Sequence, residues 1–144
     1  MRKNLLLLTA AAGLCCPAFA QFPADAVPAI QNDLTEAEAT AIVEEFATFM
    51  NTLTEALENA TDTAGAEAAV QTMQSLKLQS GDLQRKMNLV TASDPAIQAK
   101  LLPTILGLVV EHGQRSADAI QRIQNNNYYD SEALRECIAE LQAK

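Results

Sequence analysis

Histidine and cysteine, the residues that most often act as bases, nucleophiles or soft metal ligands, are scarce in this chain. His112 is the only histidine, and Cys137 is the only cysteine outside the first 20 residues. A reactive thiol needs cationic neighbours or a nearby base, whereas Glu136 and Glu140 should keep Cys137 protonated. Glu111 precedes His112, but consecutive residues of a helix point about 100° apart, so the two cannot share a site. The sequence therefore predicts no catalytic residues and no enzymatic activity.

Metal and cofactor motifs are also missing from the sequence. It contains no Cys-x-x-Cys, His-x-x-x-His or Glu-x-x-His pair, no Gly-x-Gly-x-x-Gly and no phosphate loop. We therefore predict no metal site and no bound cofactor from motifs. A lone Cys137 in an exported protein is either a small buried hydrophobe or one half of an intermolecular disulfide.

The first 20 residues have the three parts of a secretory signal. Arg2 and Lys3 provide a positive start, Leu5 to Leu14 are apolar, and Ala18-Phe19-Ala20 places small residues where a signal peptidase reads. The apolar stretch is too short to span a bilayer of about 30 Å. We predict cleavage after Ala20 and a periplasmic or secreted protein without a membrane span after cleavage.

A lipid anchor is the alternative interpretation of the same segment, because Cys15 and Cys16 lie late in the signal. A lipoprotein signal places a small residue just before the modified cysteine. Here Leu14 precedes Cys15, and Cys15 precedes Cys16. Cleavage after Ala20 would remove both cysteines, so we favour soluble export over lipidation.

The acidity of the chain restricts its partners. Removing Arg2 and Lys3 with the signal changes the formal net charge from −8 to about −10 over the remaining 124 residues. Nucleic-acid binding requires a basic surface that displaces counterions from phosphates, and anionic lipid would repel this chain. We therefore predict no nucleic-acid partner.

Three long helices are predicted by apolar residues that recur every three or four positions. Thr35 and Glu38 form a capping box that begins the first helix, the second begins near Thr63, and Asp94 followed by Pro95 begins the third. The predicted core positions are Ala39, Val43, Phe46, Met50, Leu53, Leu57 and Ala60; Ala69, Met73, Leu76, Ser80, Leu83, Met87 and Val90; and Leu102, Leu106, Val109, Gly113, Ser116, Ile120 and Ile123.

Two residues predict disturbances within these helices. Gly81 should weaken the second helix, so we expect a kink or a short break there. Pro103 lacks a backbone donor and should bend the third helix or split it in two. A turn at 125–127 should end that helix.

A short fourth helix completes an all-α fold. It should run from about Ser131 to Ala143, with its apolar face formed by Leu134, Cys137, Ile138 and Leu141. We predict an antiparallel up-and-down bundle of three long helices and one short C-terminal helix over residues 35–144, preceded by an extended lead-in at 21–34. The short helix should leave an apolar groove beside it, which a partner helix or a second copy of the chain could occupy.

The run Met50-Asn51-Thr52-Leu53, with Leu57 after it, resembles the first helix of the small periplasmic four-helix cytochromes of the b type. In that family a methionine of the first helix and a histidine of the fourth helix ligate haem. The resemblance implies a helical bundle and places Met50 at the position of the methionine ligand. The predicted fourth helix here contains no histidine.

The sequence thus leads to two functional hypotheses. The first is an exported, non-enzymatic helical bundle that serves as a binding or structural module of the cell envelope. The alternative is a carrier of haem or another small ligand, with Met50, Met73, Met87 and His112 as its donors.

Overall fold

A computed structural model describes residues 34–143 of the chain. The predicted signal peptide and the predicted lead-in as far as residue 33 lie outside this range. The described part contains four α-helices and no strand: α1 (Glu36–Asn59), α2 (Thr63–Thr91), α3 (Pro95–Asn125) and α4 (Glu132–Gln142). The predicted all-α bundle of three long helices and one short helix is confirmed.

Side-chain caps begin each helix at the place that the sequence indicates. The Thr35 hydroxyl accepts from the Glu38 backbone N–H at 3.3 Å, and the Glu38 carboxylate accepts from the Thr35 N–H at 2.9 Å. The other three helices begin with a side chain that accepts from a backbone N–H of the first turn: Asp62 for α2, Asp94 for α3 and Ser131 for α4. These caps satisfy N–H groups that have no partner within the helix, so they fix where each helix starts.

The predicted breaks do not occur: α2 continues through Gly81, and α3 continues through Pro103 as a single helix of 31 residues. The alternatives of a kink at Gly81 and a bend at Pro103 stay predictions. A glycine costs only about 1 kcal/mol relative to alanine within a helix. Pro103 is exposed, and the packing of the rest of α3 against α1 keeps the two halves in one helix.

α1 is the central helix of the bundle, with α2 along one side and α3 along the other. α2 and α3 make few contacts with each other. α4 packs against the N-terminal half of α2. The core residues fall into a lower cluster that includes α4 and an upper cluster without it. The lower cluster contains Leu53, Leu57, Ala60, Ala66, Ala69, Val70, Met73, Leu76, Ala119, Ile120, Ile123, Leu134 and Ile138; the upper one contains Ala39, Ile42, Val43, Phe46, Met50, Val90, Leu101 and Ile105.

The predicted core register of α3 is wrong in its first half. Leu101 and Ile105 are buried there, whereas the predicted positions Leu102 and Leu106 are exposed. The run 101–110 carries apolar residues on several sides of the helix, so its spacing does not select one face. Further along, Ser116, Ile120 and Ile123 are buried as predicted.

A left-handed turn joins α3 to α4. Asn127, Tyr128, Tyr129 and Asp130 all have φ between 51° and 59°. This conformation costs roughly 1–2 kcal/mol per residue, and less for asparagine and aspartate. The Asn127 amide donates to the Asp130 carboxylate at 2.9 Å, and the Arg135 guanidinium lies 5.9 Å from the centre of the Tyr128 ring. These contacts offset part of the cost and direct α4 back along α2.

Candidate functional site

His112, the only imidazole, lies in a small polar cluster between α1 and α3. It is 5% exposed, and Ser116, one turn later on α3, is 7% exposed. The hydroxyl of Thr54 on α1 reaches both: its Oγ1 is 3.2 Å from His112 Nδ1 and 3.1 Å from Ser116 Oγ. The same hydroxyl donates to the carbonyl oxygen of Met50 at 2.8 Å.

The Thr54 hydroxyl can serve all three partners at once. A hydroxyl has one proton and two lone pairs. With its proton on the carbonyl of Met50, the hydroxyl has two lone pairs that face His112 Nδ1 and Ser116 Oγ.

This cluster is closed to solvent. His112 and Ser116 are 5 and 7% exposed, so a substrate has little access to either side chain. We interpret the cluster as a buried polar connection between α1 and α3.

An ion pair at the edge of the same interface adds to this connection. The Arg115 guanidinium binds both carboxylate oxygens of Glu58, with Nε and one terminal nitrogen at 2.9 and 2.7 Å. This contact lowers the pKa of Glu58, despite an opposing effect of burial. Arg122 donates to the carbonyls of Leu57 and Glu58 at 3.1 and 2.7 Å, at the C-terminal end of α1 where carbonyls lack partners within the helix.

Of the other residues singled out from the sequence, Met50 contributes its backbone carbonyl to the cluster, whereas Met73 and Cys137 lie in or against the lower core cluster. Met50 is 4% exposed in the upper cluster, and Met73 lies in the lower one. Cys137 is half-buried on α4 against the lower cluster. Burial raises the pKa of its thiol, with a further rise from Glu140 that Lys77 opposes, so the thiol is mostly protonated at neutral pH.

No group of three or more His, Cys, Asp or Glu side chains within residues 34–143 is placed to hold a metal ion. Within the same range, no helix is both long enough and apolar enough to cross a bilayer.

A groove between α1 and α2 has both polar and apolar walls and is partly bridged. Lys86 crosses it with ion pairs to Glu45 at 2.7 Å and to Asp82 at 3.3 Å. The hydroxyls of Thr48 and Thr72 on its walls donate to carbonyls of their own helices, so these two groups are satisfied locally.

The most prominent apolar surface is one side of α3. Leu102, Leu106 and Val110, spaced one turn apart, are 41, 54 and 70% exposed. Pro103 and Gly107 between them are exposed as well. We call these five residues the α3 apolar face. Large side chains repeated at this spacing normally face a core, whereas these three are exposed.

Few charged residues lie near the α3 apolar face along the helix. Between Pro95 and Gln114 the only charged residues are Lys100 and Glu111. α4 does not extend along this region: its last turn reaches Lys77 of α2, where Glu140 forms an ion pair at 2.6 Å. The groove expected beside the short helix stays a prediction; in this region the described residues present an exposed side of α3.

Sequence reasoning missed the roles of Thr54 and the α3 apolar face. The sequence contains a weak signal for the polar cluster: Thr54 follows the core residue Leu53, and His112 and Ser116 are one helical turn apart. The signal for the α3 apolar face is that residues 101–110 include more apolar side chains than one face of a helix can bury.

Comparison with protein-family models, with curated proteins and with solved structures finds no match for this chain.

Proposed function

We propose that this chain is an exported, non-enzymatic binding module of the cell envelope that binds its partner through the α3 apolar face. The observation that carries the proposal is the exposure of Leu102, Leu106 and Val110 in one uninterrupted row. Leaving these side chains in water has no benefit for the isolated chain, because burying each would contribute about 1.5–3 kcal/mol.

The non-enzymatic part of the proposal is supported by how the polar groups are used. The hydroxyl of Thr54 and Nδ1 of His112 are hydrogen-bonded to each other between α1 and α3, and the same hydroxyl donates to the Met50 carbonyl. Burial and neighbouring carboxylates raise the pKa of Cys137, which disfavours the thiolate. Binding through an exposed surface is therefore the function that the described residues support best.

Paired variants test the binding surface. Mature protein with Leu106→Glu and Val110→Glu should lose the envelope proteins that wild type retains in an affinity experiment. Leu78→Glu is the matched control, because Leu78 is 87% exposed on α2, outside the α3 apolar face. Identical retention by all three proteins would contradict the proposal.

Export is supported by the signal features of residues 1–20. Mass spectrometry of the protein recovered from its host should give a chain that begins at Gln21. A chain that begins with an acylated Cys15 or Cys16 would replace soluble export with a lipid anchor.

A haem or small-ligand carrier is the second candidate. In its favour, Nδ1 of His112 is in contact with Thr54, which leaves Nε2 as the nitrogen that could bind a metal. Against it, Met50 and His112 are 4 and 5% exposed, so a porphyrin would have to part α1 from α3. A shift of the haem absorption band on mixing, lost in His112→Ala, would support the carrier; an unchanged band would exclude haem.

A further inference from the structure

We propose that this chain forms a dimer by exchanging α4, so that α4 of each copy packs on the lower cluster of the other copy. The hinge of the exchange is the left-handed turn 127–130 between α3 and α4. The partner is a second copy of this chain, held by the same contacts that hold α4 in the single chain. The exchange does not use the α3 apolar face, so it goes beyond the proposed function.

The hinge is strained in the single chain. Asn127, Tyr128, Tyr129 and Asp130 are consecutive, and all four have φ between 51° and 59°. In this region the Cβ lies too close to the following carbonyl oxygen, so residues other than glycine adopt it singly rather than in runs. Tyr128 and Tyr129 lack the short polar side chain with which asparagine and aspartate tolerate it. Opening the hinge allows all four residues to adopt negative φ.

α4 cannot remain in water once the hinge has opened. Leu134 and Ile138 are 0 and 1% exposed, and Cys137 and Leu141 also pack against the lower cluster. The 11 residues of α4 are too few for a stable isolated helix. The released helix must therefore bury the same face again. The surface that fits it is a lower cluster that has also lost its own α4, and a second open copy supplies that surface.

The exchange keeps the contacts of α4 and changes those of the hinge. The ion pair of Lys77 with Glu140, at 2.6 Å between α2 and α4, forms between the two copies instead of within one. The hinge gives up the exposed hydrogen bonds of the turn and the partial burial of Tyr128 and Tyr129. In return, each dimer relieves the strain of two hinges. Short strained connections between packed elements favour such an exchange.

Isotope-mixed cross-linking tests the exchange directly. Equal amounts of unlabelled and heavy-isotope-labelled mature protein are unfolded together in urea and refolded at high concentration under reducing conditions, and monomer and dimer are separated by gel filtration. A carbodiimide then joins the Lys77 amine to the Glu140 carboxylate with which it pairs. We expect linked peptides that combine a heavy and a light chain in the dimer, and linked peptides of a single label in the monomer.

A second ion pair provides the matched control for the cross-link. Lys86 and Glu45 join α2 to α1 at 2.7 Å, outside the exchanged helix, so their linked peptides should carry a single label in monomer and dimer alike. A dimer in which the link between Lys77 and Glu140 also carries a single label is an ordinary dimer and overturns the proposal. A protein that stays monomeric at every concentration overturns it as well.

Hinge variants test the role of the strain. Asp130→Val should lower the dissociation constant of the dimer about tenfold or more, because a β-branched residue resists this φ and each dimer relieves two hinges. Asp118→Val is the matched control: Asp118 is also exposed and accepts from a side-chain amide one turn away at 2.9 Å, as Asp130 accepts from Asn127. Asp118 lies within α3, so its substitution should leave the constant unchanged. Equal constants for the two variants would overturn the strained hinge.

A variant of the α3 apolar face separates this inference from the proposed function. Leu106→Glu should leave the dissociation constant unchanged, because the exchange does not use that face. Loss of the dimer in this variant would place the contact on α3 and overturn the exchange. An exchanged dimer that retains no envelope protein would support the exchange and reject the proposed function.

Discussion

The hydroxyl of Thr54 on α1 and the imidazole of His112 on α3 lie 3.2 Å apart across the interface between the two helices. Both side chains are buried, at 0 and 5% exposure. The pair is the centre of a polar cluster that also includes Ser116. It connects α1 to α3 through two residues that are 58 positions apart in the sequence.

Thr54→Val should destabilise the protein by about 1–3 kcal/mol. The valine keeps the shape but removes the acceptor for His112 and Ser116, and a buried donor without a partner is costly. Urea unfolding measures the effect. Thr48→Val is the control: its exposed hydroxyl also donates to the carbonyl four residues earlier, at 3.0 Å. Equal losses in the two variants would show that only the bond within the helix matters.

The Glu58–Arg115 pair predicts a pH-dependent stability. Arg115 lowers the pKa of Glu58 below its ordinary 4.5 in the folded protein. The carboxylate therefore stabilises the fold above pH 4.5, and this contribution disappears as the pH falls through the lowered pKa. Glu58→Gln should cost about 1 kcal/mol or less at pH 7, since the pair is partly exposed, and nothing at a pH below that pKa. Glu55→Gln on the same helix is the control, and a loss for Glu58→Gln that persists in strong acid would contradict the assignment.

Two glycines of α2 should respond to alanine in opposite directions. A Cβ on Gly65 would lie 2.5 Å from the backbone carbonyl oxygen of Asn59, whereas a Cβ on Gly81 would meet nothing within 4 Å. We expect Gly65→Ala to destabilise by about 1–3 kcal/mol and Gly81→Ala to stabilise by about 0.5–1 kcal/mol. Thermal unfolding of both variants measures the signs. The same sign for both would refute the close approach at Gly65.

The reactivity of Cys137 should follow the charges around it. Burial and Glu140 raise the pKa of the thiol, and Lys77 lowers it. At a fixed pH near neutrality, Glu140→Gln should therefore react faster than wild type with a disulfide reagent, and Lys77→Gln should react slower. Unfolded protein provides the reference rate. If both variants shift the rate in one direction, accessibility rather than charge controls the thiol.

The starts of the helices were predictable because their causes are local. The capping box of Thr35 and Glu38 and the pair Asp94-Pro95 each act within one turn. No tertiary contact is needed to satisfy the first N–H groups of a helix, so a short sequence window contains the information.

The register of α3 and the polar cluster depend on distant partners. Leu101 and Leu102 are adjacent and equally apolar, and the choice between them is made by α1. Once Leu101 and Ile105 face α1, His112 must face it too, and Thr54 supplies the acceptor that makes its burial acceptable. Spacing along one helix does not reveal a hydroxyl on another.

The charge distribution of the central helix has a consequence for topology. α1 carries six glutamates and no lysine or arginine, so its ion pairs go to other helices: Glu45 to Lys86 of α2, and Glu36 and Glu58 to Lys100 and Arg115 of α3. Three amphipathic helices that follow one another in the chain can pack with either handedness and bury a similar apolar area. Only one handedness brings each cation next to the carboxylate with which it pairs. The glutamates of α1 therefore help to select the handedness of the bundle, which hydrophobic contacts alone select poorly.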